Sequence, residues 1–372
     1  MRMHSTKRVW LYYFAVLVIW LTAVVARLKI NGLVYNLDFG LFQPDGLYYS
    51  FKTLEFLGWS DKSALTEITQ WYQANSAKFQ ALDLVSFNDP TSNPWIVTKF
   101  RFLYPLLSVP FVYLFGLSGM LVVPALSLLC FFLFIQKIAI LHKVPTVGTL
   151  LILLLTTSTT LLRWTTVNYS DGLILALFSL FAYLVLVSED IWSEKSLILL
   201  SIIVSLTAFT RQMLPIWLVI GVFFLYTKKL SPGIVTIFTA LITSIPSILS
   251  FPYAQFFAAK QDENFLQSFL GFFSNAIYIN LIEIVQLIVL DRTLLIILLI
   301  SFYCTLKFRD EIFTHIFLLT TFGAVLINSL VGVSGVNFRY FLPILPFATL
   351  MILRTNFVTS IEELLSKSQP KH

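Results

Sequence analysis

The sequence predicts an all-α polytopic membrane protein with about ten transmembrane helices. Hydrophobic residues make up 58% of the chain and charged residues 12%, whereas a soluble domain has about 25% charged residues. Apolar runs recur along the whole sequence, and the 36 phenylalanines suit lipid-facing and interfacial surfaces. The net charge of +6 is typical of Lys/Arg-rich cytoplasmic loops, so it does not indicate nucleic-acid binding.

The first apolar run follows a basic N-terminus and is predicted to be an uncleaved helix. This run extends to Ala26, which makes it longer than the about 7 to 15 residues of a signal-peptide core. Further spans follow it, so the N-terminus is expected in the cytoplasm. The two cysteines, Cys130 and Cys304, fall inside apolar spans, which predicts structural thiols rather than a disulfide or a thiolate metal site.

The apolar runs and the loop charges predict ten crossings within a single transmembrane domain of residues 1–372. With both termini inside, most loops that carry lysine also lie inside, as the positive-inside rule expects. No internal repeat or Gly/Ser-rich linker divides the chain. The crossings are predicted near residues 9–28, 119–141, 147–164, 170–188, 195–210, 213–227, 232–250, 288–306, 312–332 and 339–355.

Two apolar stretches remain, at residues 102–117 and 265–287. If either were a full crossing, Lys143 or Lys307 would lie outside, so both are predicted to be helices that lie in the outer interface or dip into it. They end two predicted outer loops, which comprise residues 29–118 and 251–287.

The first outer loop begins with two acids close to the membrane, Asp38 and Asp45. Asp45 is followed by a glycine and then by the pair Tyr48 and Tyr49. A carboxylate held at a bilayer surface costs free energy, so these residues indicate a site rather than a means of keeping the loop soluble.

A further acid and four arginines are also predicted at the outer ends of helices. Asp171 starts a crossing, where capping of that helix by Ser170 or Asp171 is the alternative to a substrate role. Arginine binds phosphate oxygens bidentately and keeps its charge in a partly dry site, although a guanidinium near a helix end can also reach lipid headgroups and do nothing else. The arginines are Arg101, Arg163, Arg211 and Arg339.

This set of outer carboxylates, arginines and aromatic residues suits a phosphate-headed lipid substrate and glycosyl transfer. The arginines would hold the anionic head, apolar grooves would take the polyprenyl tail, and a carboxylate would deprotonate an incoming hydroxyl. The sequence contains neither a doubly wound nucleotide-binding domain nor a glycine-rich phosphate loop, so a nucleotide-sugar donor is not expected.

Five short motifs follow one another along the chain: Pro44-Asp-Gly-Leu-Tyr-Tyr49, Arg101-Phe-Leu-Tyr-Pro105, Tyr169-Ser-Asp-Gly172, Thr210-Arg-Gln212 and Arg339-Tyr-Phe-Leu-Pro343. Their order resembles that of the GT-C class of membrane glycosyltransferases over most of the chain. This class includes protein O-mannosyltransferases, the aminoarabinose transferases of lipid A and bacterial enzymes that depend on polyprenyl-phosphate-mannose. The first loop departs from the class because it has no adjacent Asp-Glu or Asp-x-Asp pair, which leaves the choice between Asp45 and Asp38 open.

The resemblance implies an inverting transfer of a sugar from a polyprenyl-phosphate donor to a hydroxyl of a lipid, glycan or protein acceptor. The reaction would take place on the outer face of the plasma or inner membrane, with Asp45 or else Asp38 as the catalytic base. No cofactor is implied, and the scattered histidines offer no ligand cluster for a divalent metal. The substrate-binding residues implied are Arg339, Tyr340, Arg211, Arg163, Arg101, Asp171 and Tyr49.

Two other classes of protein share some of these features. A transporter or flippase of lipid-linked sugars would place charges near mid-membrane and would often have paired halves or broken helices. A non-enzymatic membrane assembly protein would use the first loop as a partner surface. For residues 60–80 that description fits well, because Leu65, Ile68, Trp71 and Tyr72 recur at helical spacing beside charged residues.

Overall fold

The computed structural model describes residues 6–34, 44–75, 100–188, 191–250, 265–308, 312–331 and 338–367, and these ranges contain helices but no strand. The predicted all-α class is therefore confirmed. Two 3-10 segments, Gly116–Leu121 and Arg339–Ile344, lie between the helices. The α-helices are α1 Thr6–Val34, α2 Pro44–Phe56, α3 Asp61–Asn75, α4 Leu103–Phe115, α5 Val122–Leu141, α6 Pro145–Leu155, α7 Thr159–Trp164, α8 Asp171–Val187, α9 Glu194–Thr210, α10 Leu214–Tyr226, α11 Leu230–Ser250, α12 Phe265–Leu290, α13 Arg292–Lys307, α14 Ile312–Val331, α15 Leu345–Leu353 and α16 Asn356–Lys367.

One end of the bundle, which we name the Thr146 end, joins the starts of several helices. The Tyr12 hydroxyl of α1 lies 3.2 Å from Thr146 Oγ1 at the start of α6. The Glu362 carboxylate of α16 accepts hydrogen bonds from the backbone N–H groups of Thr146 at 3.2 Å and Val147 at 2.9 Å. Acids at a helix N-terminus satisfy free N–H groups and complement the helix dipole, so α16 is fixed across the start of α6.

The same end contains the start of α14 and the end of α15. The Arg354 guanidinium, directly after α15, lies 4.8 Å from the centre of the Phe313 ring on α14. Burial, and then the nearby Arg354 charge, lowers the pKa of His142 at the end of α5. The folded protein therefore holds this imidazole neutral at pH 7.

The other end, which we name the Asp171 end, contains the start of α8, the end of α9 and the 3-10 segment before α15. Here Trp20 of α1 donates a hydrogen bond of 2.7 Å from Nε1 to the Ala125 carbonyl in the first turn of α5. Gly172 lies against Pro124, because a Cβ at Gly172 would be 3.2 Å from Pro124 Cα. The helices therefore run between two ends, and polar contacts join remote segments of the chain at each end.

Large apolar side chains cover much of the outer surface of the helices as well as filling the core, whereas soluble proteins rarely expose large apolar patches. On α11, Ile234 and Phe238 are exposed, whereas Thr236 and Ala240 are buried. Exposed aliphatic and aromatic side chains occur on most of the other helices as well. Lipid is the environment that such a surface requires, so these helices indicate a membrane-embedded protein.

Glycine allows the closest helix contacts. A Cβ at Gly221 of α10 would lie 2.5 Å from Ile237 Cγ1 of α11, and one at Gly233 of α11 would lie 2.6 Å from Leu225 Cδ2. Because apolar area drives little association between helices within lipid, small residues that let backbones approach are the usual device there.

Three segments of the described chain are long and apolar enough to cross a membrane: Val9–Leu28, Leu103–Leu141 and Ile312–Ser329. Two bent pairs also qualify if each is one span, namely α12 with α13 and the Arg339–Leu353 segment with α16. The predicted interfacial stretch 102–117 corresponds to α4, which continues through a 3-10 turn into α5. The stretch 265–287 corresponds to most of α12, which is bent by 118° from α13.

Asp291 forms the bend between α12 and α13 and caps two helices. Its Oδ1 accepts a hydrogen bond of 3.0 Å from the Leu294 N–H in the first turn of α13. Its Oδ2 accepts bonds from Ser158 Oγ at 2.6 Å and from the Thr160 N–H, in the first turn of α7, at 2.8 Å. The carboxylate is 3% exposed, so it joins the α12–α13 bend to the break between α6 and α7.

Asp291→Ala is expected to lower the free energy of unfolding by about 2–4 kcal/mol, since each lost cap costs about 0.5–2 kcal/mol and the Ser158 hydroxyl loses a buried acceptor. Asp291→Asn should lose less, because one amide oxygen remains to accept. Chemical unfolding in detergent measures both. Asp61→Ala, which removes an exposed acid from the first turn of α3, is the control and should change the free energy by at most about 0.5 kcal/mol. Equal effects at the two positions would contradict the double-cap role.

Candidate functional site

Three of the predicted site residues form one buried ion cluster at the Asp171 end. Asp171, the first residue of α8, accepts hydrogen bonds from Arg211 Nη1 on Oδ1 and, at 2.8 Å, from Arg339 Nε on Oδ2. Asp171 and Arg211 are each 2% exposed and Arg339 is 8% exposed. Arg211 directly follows α9 and Arg339 begins the second 3-10 segment, so residues from three remote parts of the chain converge here.

Aromatic rings cover the faces of both guanidinium groups. The Arg339 guanidinium carbon lies 4.0 Å from the centre of the Tyr169 ring and 5.1 Å from that of Trp164, and these two rings stack at 5.5 Å. Arg211 lies 4.4 Å from the centre of the Tyr340 ring. A guanidinium stacked in this way keeps its edge N–H groups in a fixed plane. The rings therefore orient both arginines toward the carboxylate.

The first helix of the outer loop packs against the segment that precedes Asp171. Gly46, in the first turn of α2, lies so close to the Asn168 side-chain amide that an added Cβ would overlap it. One turn later, the Tyr49 hydroxyl lies 3.2 Å from Ser170 Oγ. The start of α2 is therefore held directly beside the Asp171 cluster.

This contact places the backbone of the first-choice base. Asp45 is the second residue of α2 and adjoins Gly46, whereas Asp38 lies outside the described residues. Tyr49 is fully buried and packs edge-on against Tyr104 with ring centres 5.2 Å apart. The observed contacts of Tyr49 hold α2 in position. A contact between Tyr49 and a substrate stays a prediction.

The remaining predicted arginines, Arg163 and Arg101, lie on segments near the Asp171 end. Arg163 is half-buried, and its guanidinium carbon lies 4.9 Å from the centre of the Trp164 ring. Arg101 is half-buried before α4, and the adjacent Phe102 packs against Phe209 of α9 at 4.8 Å. Both arginines therefore lie on segments that end at the Asp171 end.

The capping alternative for the start of α8 does not describe the observed hydrogen bonds. Ser170 occupies the N-cap position, but its side chain accepts no capping bond from the helix. The Asp171 carboxylate is directed to the two arginines instead. Buried ion pairs need good geometry and further hydrogen bonds to offset their desolvation. The aromatic rings hold the geometry of this cluster, and each guanidinium has further N–H donors.

Sequence reasoning missed two polar residues that contact this region, Asn168 and Glu283. Glu283 lies in α12, is 1% exposed, and accepts a hydrogen bond on Oε2 from the Phe338 N–H next to Arg339. An acid within a long apolar helix was the signal that could have identified it. Asn168 had no comparable signal, because an amide close to a helix start is common.

Gly46→Ala is expected to destabilise the protein by about 1–3 kcal/mol, the usual cost of overpacking. The added methyl group would overlap the Asn168 side chain, which is fully buried and cannot turn out to solvent. Thermal unfolding in detergent measures the effect. Asn168→Ala makes room for the methyl group, so it should cost less in the Gly46→Ala background than in the wild-type chain. Equal costs in both backgrounds would show that α2 does not pack as described.

Arginine is the residue type best suited to hold a phosphate-like anion, and Arg211 and Arg339 both lie at the Asp171 end. Within the described ranges, no three His, Cys, Asp or Glu side chains lie where they could together hold a metal ion. Comparison with models of protein families, with curated proteins and with solved structures finds no match in any of the three. A functional assignment therefore depends on the geometry of this end.

Proposed function

We propose that the protein is a membrane glycosyltransferase that moves a sugar from a polyprenyl-phosphate donor to an acceptor hydroxyl. The observation that carries the proposal is the packing of Gly46 and Tyr49 of α2, the helix that contains Asp45, against Asn168 and Ser170. The next residue, Asp171, holds Arg211 and Arg339. An acid suited to proton abstraction and two cations suited to a phosphate thus lie on neighbouring segments.

Arg211 and Arg339 would bind the phosphate of the donor. A guanidinium carries five N–H donors in a planar fork, so the hydrogen bond from each to Asp171 does not exhaust its donors. Asp171 would fix the spacing of the two cations, and the rings of Tyr169 and Tyr340 would fix their planes. Cations held in place before reaction stabilise the charge that develops on a leaving phosphate.

Asp45, or else Asp38, would act as the base. It would take the proton of the acceptor hydroxyl while the oxygen attacks the anomeric carbon from the face opposite the phosphate. The bond from the anomeric carbon to the phosphate oxygen would break, and polyprenyl phosphate would leave with the electron pair, so the configuration would invert.

The proposal includes ten crossings, with α2, α3, α4 and α12 at the non-cytosolic surface of the plasma membrane. The two-ended arrangement supports this topology, since Lys143 follows α5 and Lys307 ends α13 at the Thr146 end. The Thr314 hydroxyl donates a hydrogen bond of 2.7 Å to the Phe308 carbonyl, which keeps the end of α13 beside the start of α14. Lysines would then lie inside and the acid–arginine cluster outside.

A transporter of lipid-linked sugars is the second candidate, and the broken helices favour it. The 118° bend between α12 and α13 and the interruption between α6 and α7 resemble the discontinuous helices of transporters. However, the two breaks bind each other through Asp291, Ser158 and Thr160. The polar groups described there serve to join helices.

The test uses the purified protein in lipid nanodiscs with polyprenyl phosphate and with the uncharged polyprenol of equal chain length. Polyprenyl phosphate is expected to raise the melting temperature, polyprenol is not, and Arg339→Gln should abolish the difference. A panel of radiolabelled polyprenyl-phosphate sugars then reports transfer to added acceptors. The absence of both binding and transfer would overturn the proposal. In proteoliposomes, movement of the sugar lipid between leaflets without a new glycosidic bond would identify the transporter.

A further inference from the structure

Glu283 is a buried carboxylate that the proposed reaction does not use. It lies in the second half of α12, whose side chains Ile277, Leu281, Ile284 and Ile288 are exposed. The helix thus presents an apolar face outward and the Glu283 carboxylate inward. A carboxylate in such surroundings is costly unless it is hydrogen-bonded, so its partner indicates why it is there.

One partner of this carboxylate is the backbone at the start of the Arg339 segment. Glu283 Oε2 accepts a hydrogen bond from the Phe338 N–H, and Phe338 has the left-handed conformation, with φ of 63°. Residues other than glycine rarely adopt this backbone conformation unless surrounding contacts hold it in place. Phe338 precedes the 3-10 segment, and that segment receives no capping bond from the Phe338 side chain. The Glu283 carboxylate of α12 is therefore a hydrogen-bond acceptor at this turn, for the Phe338 N–H.

The left-handed turn directs the chain toward the ion cluster. The Phe338 ring stacks on that of Phe341 at 4.6 Å, and the intervening Arg339 donates from Nε to Asp171 at 2.8 Å. If the turn relaxed to a common conformation, the Cα–Cβ direction of the next residue would change. The position of the guanidinium consequently depends on the hydrogen bond from Phe338 to Glu283.

The neighbouring turn of α12 anchors the helix that bears Glu283. Asn280 donates from Nδ2 to Ser329 Oγ at 3.0 Å and accepts from Asn328 Nδ2 at 3.2 Å. These partners lie near the end of α14, so α12 holds both the end of α14 and the start of the Arg339 segment. Residues 332–337, which join the two, lie outside the described ranges.

We propose that Glu283 is a positioning residue for Arg339. By accepting the Phe338 N–H, it fixes the left-handed turn that aims the guanidinium at Asp171 and at the donor phosphate. Its effect on sugar transfer rests on the proposed function, but the link between Glu283 and the Arg339–Asp171 pair does not. The role requires an acceptor at the right reach, so glutamine should serve, alanine should not, and aspartate is one methylene too short.

The first experiment is independent of activity and is a double-mutant cycle in thermal stability. Glu283→Ala and Arg339→Gln are measured singly and together in detergent, with Glu283→Asp as the substitute if Glu283→Ala does not accumulate. Residues that act through one another have non-additive effects, so Glu283→Ala should lower the melting temperature less in the Arg339→Gln background than in the wild type. Glu362→Ala is the control, because it removes another acid that accepts from backbone N–H groups but lies at the Thr146 end. Its effect on the melting temperature should be the same in the Arg339→Gln background as in the wild type.

The second experiment compares kcat/KM for the polyprenyl-phosphate donor. A misplacement of about 1 Å can cost about 100-fold, so Glu283→Ala should lose about 10- to 100-fold and Glu283→Gln should recover most of it. Hydrogen exchange of the peptide that contains Phe338 should quicken in Glu283→Ala and return toward wild type in Glu283→Gln. Additive melting shifts, or a glutamine variant no better than alanine, would overturn the positioning role. If the wild-type protein transferred no sugar, the double-mutant cycle and the hydrogen-exchange rates would still test the positioning role of Glu283.

Discussion

Asp171→Ala is expected to destabilise the protein by about 3–5 kcal/mol, the usual cost of removing one partner of a buried ion pair. The substitution would leave the guanidinium groups of Arg211 and Arg339, both almost fully buried, without the carboxylate that they share. Chemical unfolding in detergent and the yield of monodisperse protein measure the loss. Asp171→Asn should lie between alanine and the wild type, because the amide keeps an acceptor but loses the charge.

A triple variant separates the structural role of the cluster from its functional role. Replacing a buried ion cluster with apolar side chains of similar volume is often neutral or stabilising. Asp171→Leu combined with Arg211→Met and Arg339→Met should therefore recover most of the stability lost by Asp171→Ala. Under the proposed function, the same variant should neither bind polyprenyl phosphate nor transfer sugar. A stable triple variant with normal transfer would exclude these arginines from the site.

Asp45→Asn is expected to lower kcat by about 10²- to 10⁴-fold, the usual contribution of a general base. Binding of polyprenyl phosphate should persist, because the arginines are unchanged, and a residue in the first turn of α2 should affect stability by at most about 1 kcal/mol. Single-turnover transfer from a radiolabelled donor measures the effect. Asp61→Asn, at the start of α3, is the matched control for an acid in the same loop.

The sequence leaves open whether Asp45 or Asp38 is the base, and a comparison of Asp38→Asn with Asp45→Asn decides between them. If Asp45 is the base, Asp38→Asn should lower the rate far less than Asp45→Asn, and the reverse order would assign the base to Asp38. Undiminished transfer in both variants would rule out acid–base catalysis by this loop. A loss of donor binding in Asp45→Asn would show instead that the acid supports the arginine site.

Sequence reasoning placed the three members of the cluster at the same end of the helices but did not predict that they form ion pairs with one another. An ionised side chain within apolar surroundings needs a partner, so Asp171, Arg211 and Arg339 could be grouped although up to 168 residues separate them. The periodicity of residues 60–80 also predicted a helix, and within the described part of this stretch α3 buries Ile68 while Asp61 and Lys62 are exposed.

Other features carried no such signal. The sequence predicted that a crossing begins near residue 288, but α12 continues to Leu290 and the bend occurs at Asp291. Residues on both sides of this point are equally apolar, so composition alone could not place the bend. The left-handed Phe338 and its bond to Glu283 depend on contact between remote segments, and phenylalanine has no preference for that conformation.

The length of α10 has a consequence for the surrounding lipid. This helix has 13 residues, or about 20 Å at 1.5 Å per residue, and it lies between the buried Arg211 and the exposed Lys228. A hydrocarbon layer is about 30 Å thick, so under the proposed topology, in which α10 is a crossing, hydrophobic mismatch would draw the two leaflets together beside it. This local thinning of the bilayer would bring lipid headgroups closer to the arginines. Under the proposed function, the acyl-chain length of the bilayer would therefore determine how readily a phosphate-headed lipid reaches them.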